Sequence, residues 1–262
     1  MVLGKIFTRR DVGKFTSRIG YDAVSRPTIV ARDLAAAPAF SNTVLWLVPL
    51  CVCVMAAFLC FGGEDAVAAY FTRSRSAYPA VAALASWLSD YGNIPFYFLL
   101  ILAAYDIQKR EEGGGIRFVV CYFFCLVLLL LVVDTLKIWI GRPRPGEFGE
   151  CLWLSLRGAR HSFPSNHVAE TAFSVLTLAH LSGRKSLSCL CGLWLAVMGA
   201  TRVYLGRHHP TDLLGSAVVG VAAVYFLYWV VARLSAEASA AAPAASRTSR
   251  SMTAFDGDSI LE

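Results

Sequence analysis

The chain has 262 residues, 56 % apolar and 16 % charged, with 24 Lys and Arg against 18 Asp and Glu and a mean hydropathy of +0.56. A soluble globule carries about a quarter of its residues as charges, so this composition excludes a disordered chain and argues against an ordinary soluble enzyme. The net charge of +6 does not point to nucleic acid, and the apolar runs are too long for a soluble core, which makes the bilayer the expected solvent.

Residues 1–42 are polar and basic, with seven Lys and Arg. They read as a cytoplasmic segment that meets anionic lipid, not as a cleavable signal, because the next apolar run is long enough to stay in the membrane. Residues 43–62 run for 20 residues without a charge and form the first span. Residues 64–90 read as an external loop with a short amphipathic helix around 77–90. The second span is the shortest: Tyr91 to Ile107 reaches about 26 Å, enough if the ends snorkel. Residues 116–136 are the third and most apolar span. A polar segment follows over 137–164, then span four (165–182), a tight turn (183–186), span five (187–205) and span six (212–232). The Ala/Ser-rich residues 233–262 lack apolar periodicity and are expected to be disordered.

The expected fold is therefore all-α: a six-span bundle over 43–232 with a short amphipathic helix between spans one and two. With the N-terminus inside, inner segments hold 15 Lys and Arg and outer segments 9, in keeping with the positive-inside bias. Both termini are then cytoplasmic. Trp and Tyr near the span ends read as interfacial anchors. Seven of the 8 cysteines lie in apolar runs, with no CxxC and no zinc-like spacing, so they read as small hydrophobes.

Three polar stretches carry chemistry. The first runs from Lys137 to Arg144-Pro145, after span three. The second is Pro164-Ser165-Asn166-His167, at the start of span four. The third runs from Thr201-Arg202 through His208 to Asp212, between spans five and six. The topology puts all three at one face of the bundle. Lys137, Arg144 and Arg202 have no matching carboxylates close by in sequence, and such a cluster at a membrane boundary calls for an anion. Arg offers a planar fork to phosphate oxygens and Lys a point charge. Pro164-Ser165-Asn166 opens a helix whose N–H groups can face the same anion. His167 and His208 can divide attack at phosphorus from protonation of the leaving oxygen. Asp212 can hold the attacking imidazole in one tautomer.

These stretches, K-x6-R-P, P-S-N-H and T-R-x5-H-x3-D, resemble the signature of the type 2 phosphatidic acid phosphatase family across roughly residues 90–230. Two positions depart from it: Asn166 replaces a glycine and Thr201 a serine. The resemblance implies that His208 is the nucleophile and forms a phosphohistidine, that Asp212 orients it, and that His167 is general acid and then base. It implies that Lys137, Arg144, Ser165, Asn166 and Arg202 hold the phosphoryl oxygens, with no metal and no cofactor. His209 is a rival to His208, disfavoured by the spacing.

The site's place at the span ends implies a lipid phosphate as substrate, at the outer face of the membrane. The resemblance to bacterial members of the family implies a bacterial inner membrane, with the site on its extracytoplasmic face, and a substrate class spanning phosphatidylglycerol phosphate, phosphatidic acid, undecaprenyl diphosphate and lipid A phosphate. A lipid phosphotransferase using the same site stays open. An anionic-lipid transporter fits less well, because the cations lie at one surface and no repeat is visible. Outside the pattern, Asp134 reads as the ion-pair partner of Lys137, and Glu170 as an intramembrane carboxylate of structural or functional use. Arg142 and Arg207 are read either as head-group contacts or as ordinary flanking charges.

Overall fold

The computed structural model describes residues 40–110, 113–147 and 149–241. The regular structure among those residues is all helical, with no strand. In chain order the helices are α1 (Phe40–Phe61), α2 (Glu64–Ala77), α3 (Pro79–Tyr91), α4 (Ile94–Arg110), α5 (Gly114–Ile140), α6 (Asn166–Ser182), α7 (Lys185–Tyr204) and α8 (Pro210–Ala241), with a single 3-10 turn at Gly158–Arg160.

Four of these, α1, α5, α7 and α8, are long and apolar enough to cross a membrane. Large apolar side chains stay exposed along them, including Val52, Leu59, Val120, Phe124, Leu131, Val218 and Trp229. In water this surface would be an aggregation hazard; against lipid it needs no cover. The expected spans two and four are α4 and α6, each 17 residues long or about 26 Å, shorter than a hydrocarbon core of about 30 Å.

Helix α6 has a reason to be less apolar than its neighbours: it is the centre of the bundle, packed on α4, α5, α7 and α8. From Val168 to Ala179 every side chain except Glu170 is buried. Thr171, Ser174 and Thr177 are accommodated there because each hydroxyl donates to the helix carbonyl four residues back. Gly220 lets α8 approach closely, since a Cβ at that position would lie 2.5 Å from the Ala172 Cβ and 2.6 Å from the Ala169 carbonyl oxygen. A second polar knot joins α4 to α6: Glu170 Oε1 accepts from Asn93 Nδ2 at 2.9 Å and from the Tyr97 hydroxyl.

Two boundaries differ from the sequence expectation. The segment after α1 is not a loop with one helix but two helices, α2 and α3, which turn at Tyr78-Pro79. On α3 the large apolar side chains Val81, Leu84 and Trp87 point outward, while Ala85 and Ser89 are buried, so its packed face is the small one. Helix α8 continues to Ala241, past the expected end of span six at 232. The expected basic segment lies outside the described residues up to residue 39, as does the tail from 242 onward.

Candidate active site

The three motif stretches sit where four helix ends meet: the C-terminal end of α5, the N-terminal end of α6, the C-terminal end of α7 and the N-terminal end of α8. The charges of Lys137, Arg144, Arg202 and Arg207 act on one another and on the two imidazoles, His167 and His208. The fold thus gathers the predicted Lys137, Arg144, Arg202, His167, His208 and Asp212, from positions up to 75 residues apart, into one site.

The buried His208 ring is fixed by a backbone group. Its Nδ1 lies 2.5 Å from the carbonyl oxygen of Ser162. A carbonyl only accepts, so Nδ1 carries the proton and Nε2 keeps its lone pair. Asp212, fully buried, stands 3.9 Å from the same Nδ1, beyond hydrogen-bond range. Its oxygens are taken by other donors: Arg142 Nη1 at 2.5 Å, Ser162 Oγ at 2.6 Å and the His209 backbone N–H at 2.8 Å. Asp212 therefore reaches His208 through Ser162, whose hydroxyl binds the carboxylate while its carbonyl holds the ring. Burial and the Arg202 guanidinium push the His208 imidazole well below its ordinary titration range, so the ring is neutral at physiological pH.

His209 is occupied elsewhere. Its Nε2 donates to the Pro143 carbonyl at 3.2 Å, and its Nδ1 faces Glu64 at 3.8 Å. Arg142 also turns away from the anion site: Nη1 reaches Asp212 and Thr211, and Nη2 reaches Glu64 at 2.6 Å. Arg207 stays exposed.

Four groups expected to hold an anion have a buried polar atom without a hydrogen-bond partner among the described residues: Arg144 Nε, Ser165 Oγ, Asn166 Oδ1 and Arg202 Nε. Three of these can donate; Asn166 Oδ1 cannot. Arg202 is anchored from its other side, where Nη1 donates to Ser89 Oγ of α3 at 2.5 Å. Asn166, in the glycine position of the signature, donates through Nδ2 to Asp134 Oδ1 at 2.8 Å, and Lys137 Nζ meets the same oxygen at 3.2 Å. The expected Asp134–Lys137 pair is present and Asn166 is its third member. The helix that Ser165 opens is tied to α8: Ser216 Oγ accepts from the Ser165 N–H at 2.7 Å and donates to the Asp212 carbonyl at 2.5 Å. One of the N–H groups expected to face the anion is thereby committed to the scaffold.

Sequence reasoning passed over Ser162, Ser89, Ser216 and Glu64. Ser162 works partly through its backbone, which no residue identity announces. Glu64 lies 78 positions from Arg142, in a stretch read as loop. An apolar groove of about 390 Å³ lined by Leu128, Leu131, Val132, Thr135, Leu136 and Trp139 is not part of the site. At 100° per residue it occupies the side of α5 roughly opposite Lys137.

Comparison with known proteins finds similarity over the stretch that holds this site. The profile of the PAP2 superfamily matches residues 118–236, which include all three motif stretches. The lipid A 4'-phosphatase of Bacteroides thetaiotaomicron is 28 % identical over 127 residues, 44 % of this chain and 56 % of that protein. The lipid A 1-phosphatase of Rhizobium etli is 30 % identical over 159 residues, 54 % of this chain and 67 % of that protein. A PAP2-type phosphatidylglycerolphosphate phosphatase from Bacillus subtilis, solved by crystallography, is 20 % identical with a TM-score of 0.47, over 71 % of this chain and 94 % of that one. The chain thus spans between about half and two thirds of the lengths of these two curated relatives.

Proposed function

The chain belongs to the PAP2 superfamily, and on that premise we propose that it is an integral-membrane lipid phosphatase that removes a phosphate monoester or diphosphate group from a lipid by way of a phosphohistidine. The observation that carries this reading is the pairing of a neutral, Nδ1-protonated His208 with a cluster of cations whose inner donors, Arg144 Nε and Arg202 Nε, are buried and unpartnered. Buried donors of this kind are rare unless something accepts from them, and a phosphoryl group offers acceptor oxygens to several at once.

The geometry supports the following course. Lys137, Arg144, Arg202 and the Ser165 hydroxyl take the phosphoryl oxygens, with Asn166 beside them. The lone pair of His208 Nε2 attacks phosphorus, the bond to the leaving oxygen breaks, and protonated His167 supplies the proton that the leaving alkoxide or phosphate needs. The phosphoimidazolium that forms is stabilised by the Ser162 carbonyl on Nδ1–H and by the Asp212 charge. Neutral His167 then takes a proton from water, whose oxygen attacks phosphorus and releases His208 and inorganic phosphate. No step calls for a metal or cofactor.

We assign α4 and α6 as the two further spans, six in all, with both termini cytoplasmic and the site on the extracytoplasmic face of a bacterial inner membrane. Basic residues fall 15 inside and 9 outside on this assignment, and most of the outer nine belong to the site and its flanks. The substrate class is a lipid phosphate with its tails in the bilayer and its head at the helix ends. The named activity of the relatives, on lipid A, lies within it. The test is phosphate release by purified protein in detergent with excess EDTA, over a panel of lipid mono- and diphosphates, with His208→Ala in parallel. Release that survives EDTA and vanishes in the variant supports the reading. Release that persists in the variant, or that EDTA abolishes, contradicts it.

A further inference from the structure

We propose that α2 braces the loop carrying His208, and that Glu64 is a positioning residue of the reaction that holds Arg142 against Asp212. The proposal rests on the phosphatase reading above for its kinetic consequences, but not for its structural one. Residue 64 lies outside the stretch that matches the superfamily profile, residues 118–236.

Helix α2 touches the 204–212 segment at three places. At its start, Glu64 Oε1 accepts from the Thr211 N–H at 3.1 Å and from Thr211 Oγ1 at 2.5 Å, while Oε2 accepts from Arg142 Nη2 at 2.6 Å. In its middle, the Phe71 ring meets the Tyr204 ring edge-on at 5.4 Å. Near its end, Arg75 donates to the Tyr204 carbonyl. There the loop runs so close that a Cβ on Gly206 would lie 3.0 Å from the Arg75 guanidinium. Residues 205–209, with His208 among them, join the last residue of α7 to the first of α8. The brace thus grips this connector from both sides.

The chemistry of the first contact is specific. Arg142 lies two residues before Arg144, a proposed phosphate ligand. Left alone, its guanidinium would be another cation free to take a phosphoryl oxygen. Glu64 and Asp212 hold it from two sides, at 2.6 Å and 2.5 Å, with Thr211 completing the ring. That ring fixes the Asp212 oxygen facing Arg142, and the other Asp212 oxygen accepts from Ser162, whose carbonyl sets the His208 tautomer. Glu64 therefore acts on the nucleophile through Arg142, Asp212 and Ser162 without touching substrate.

The test uses the full-length protein in detergent, with Glu64→Gln, Arg142→Gln, the double variant and, as a control on exposed α2, Arg73→Gln. Glu64→Gln keeps size and loses charge, and is expected to lower kcat about tenfold or more with KM within about threefold of the starting value. Arg142→Gln should do the same, and the double variant should be no worse than the poorer single one, because the two residues act in one chain. Arg73→Gln should leave both constants unchanged. Losses that multiply in the double variant, or a Glu64→Gln effect on KM alone, would overturn the proposal.

Amide hydrogen exchange of residues 205–212 supplies a readout independent of activity: it should quicken in Glu64→Gln while α6 is unaffected. Unchanged exchange overturns the brace whatever the kinetics show. If wild-type protein releases no phosphate from any lipid, the phosphatase reading fails and exchange alone decides the brace. Should Glu64→Gln not fold, Thr211→Val removes two of the ring's hydroxyl contacts and keeps the backbone one; an unaltered kcat in that variant also overturns the proposal.

Discussion

Replacing Asp212 by Asn separates two ways in which a carboxylate can serve a catalytic histidine. If Asp212 set the His208 tautomer by direct contact, its loss would cost about four orders of magnitude in kcat, as the triad mechanism of serine proteases shows. Here the tautomer is held by the Ser162 carbonyl at 2.5 Å, and Asp212 contributes its charge from 3.9 Å. At an effective dielectric of about 20, a unit charge pair at that distance is worth about 4 kcal/mol, or about a thousandfold in rate. A transition state with roughly half of its imidazolium charge developed feels about half of this energy. Asp212→Asn should therefore lower kcat about 30- to 1,000-fold with little change in KM. The variant also gives Arg142 and Ser162 a poorer partner, about 1–3 kcal/mol of stability, so thermal unfolding in detergent must accompany the kinetics. The assay is initial-rate phosphate release from a dispersed lipid phosphate, at a temperature where the variant is folded. A loss of 10⁴ or more in folded protein would mean that Asp212 governs the tautomer after all. A loss under threefold would mean that His208 does not sense the carboxylate.

Four further outcomes follow from the same geometry. His209→Ala should keep activity within about tenfold, because its ring is bound to Pro143 and not to the anion site, whereas His208→Ala should abolish release. The acid limb of kcat/KM that reports His208 should fall below the ordinary imidazole value of 6.5, measurable as a pH–rate profile lacking a pKa near neutrality on that side. Stability has the same sign: unfolded His208 binds a proton below 6.5 and the folded ring resists it, so this contribution is full above 6.5 and falls as pH drops towards the folded value. Glu64 behaves alike at lower pH. Burial works to raise its carboxyl, but hydrogen bonds from Thr211 and the charge of Arg142 outweigh this and hold it below its ordinary value of 4.5. Its share of stability is present above that value and lost as pH falls through the folded one, and acid-unfolding curves of wild type and Glu64→Gln should converge there. Asn166→Asp sets a second carboxylate against Asp134, 2.8 Å from the present amide, beside the phosphoryl site; KM should rise about tenfold or more with a smaller effect on kcat.

The residues proposed for catalysis stand out in the sequence because they come in short stretches with fixed internal spacing. Lys137 and Arg144 share one helix exit, and His208 and Asp212 lie on either side of the start of α8. Helix starts near the site were legible to within two residues: span four was expected from 165 and α6 begins at Asn166, and span six was expected from 212 and α8 begins at Pro210. The support was not. Glu64 reaches Thr211 across 147 positions, and no local pattern couples them. Ser162 contributes a carbonyl, which every residue has. Asp212 was expected to touch the imidazole; the structure shows a carboxylate already filled by Arg142, Ser162 and a backbone N–H.

The central claim is covalent chemistry at His208, and trapping the phosphoenzyme tests it most directly. A phosphate ester with a good leaving group, such as a labelled nitrophenyl phosphate, does not need His167 as acid. In His167→Ala the intermediate then forms but lacks the base that activates water, and it should accumulate. Denaturing quench and peptide mapping should find an acid-labile, alkali-stable phosphate on His208, absent when His208 is also replaced by Ala. Label on another residue, or turnover with no covalent label under any quench, would contradict the account.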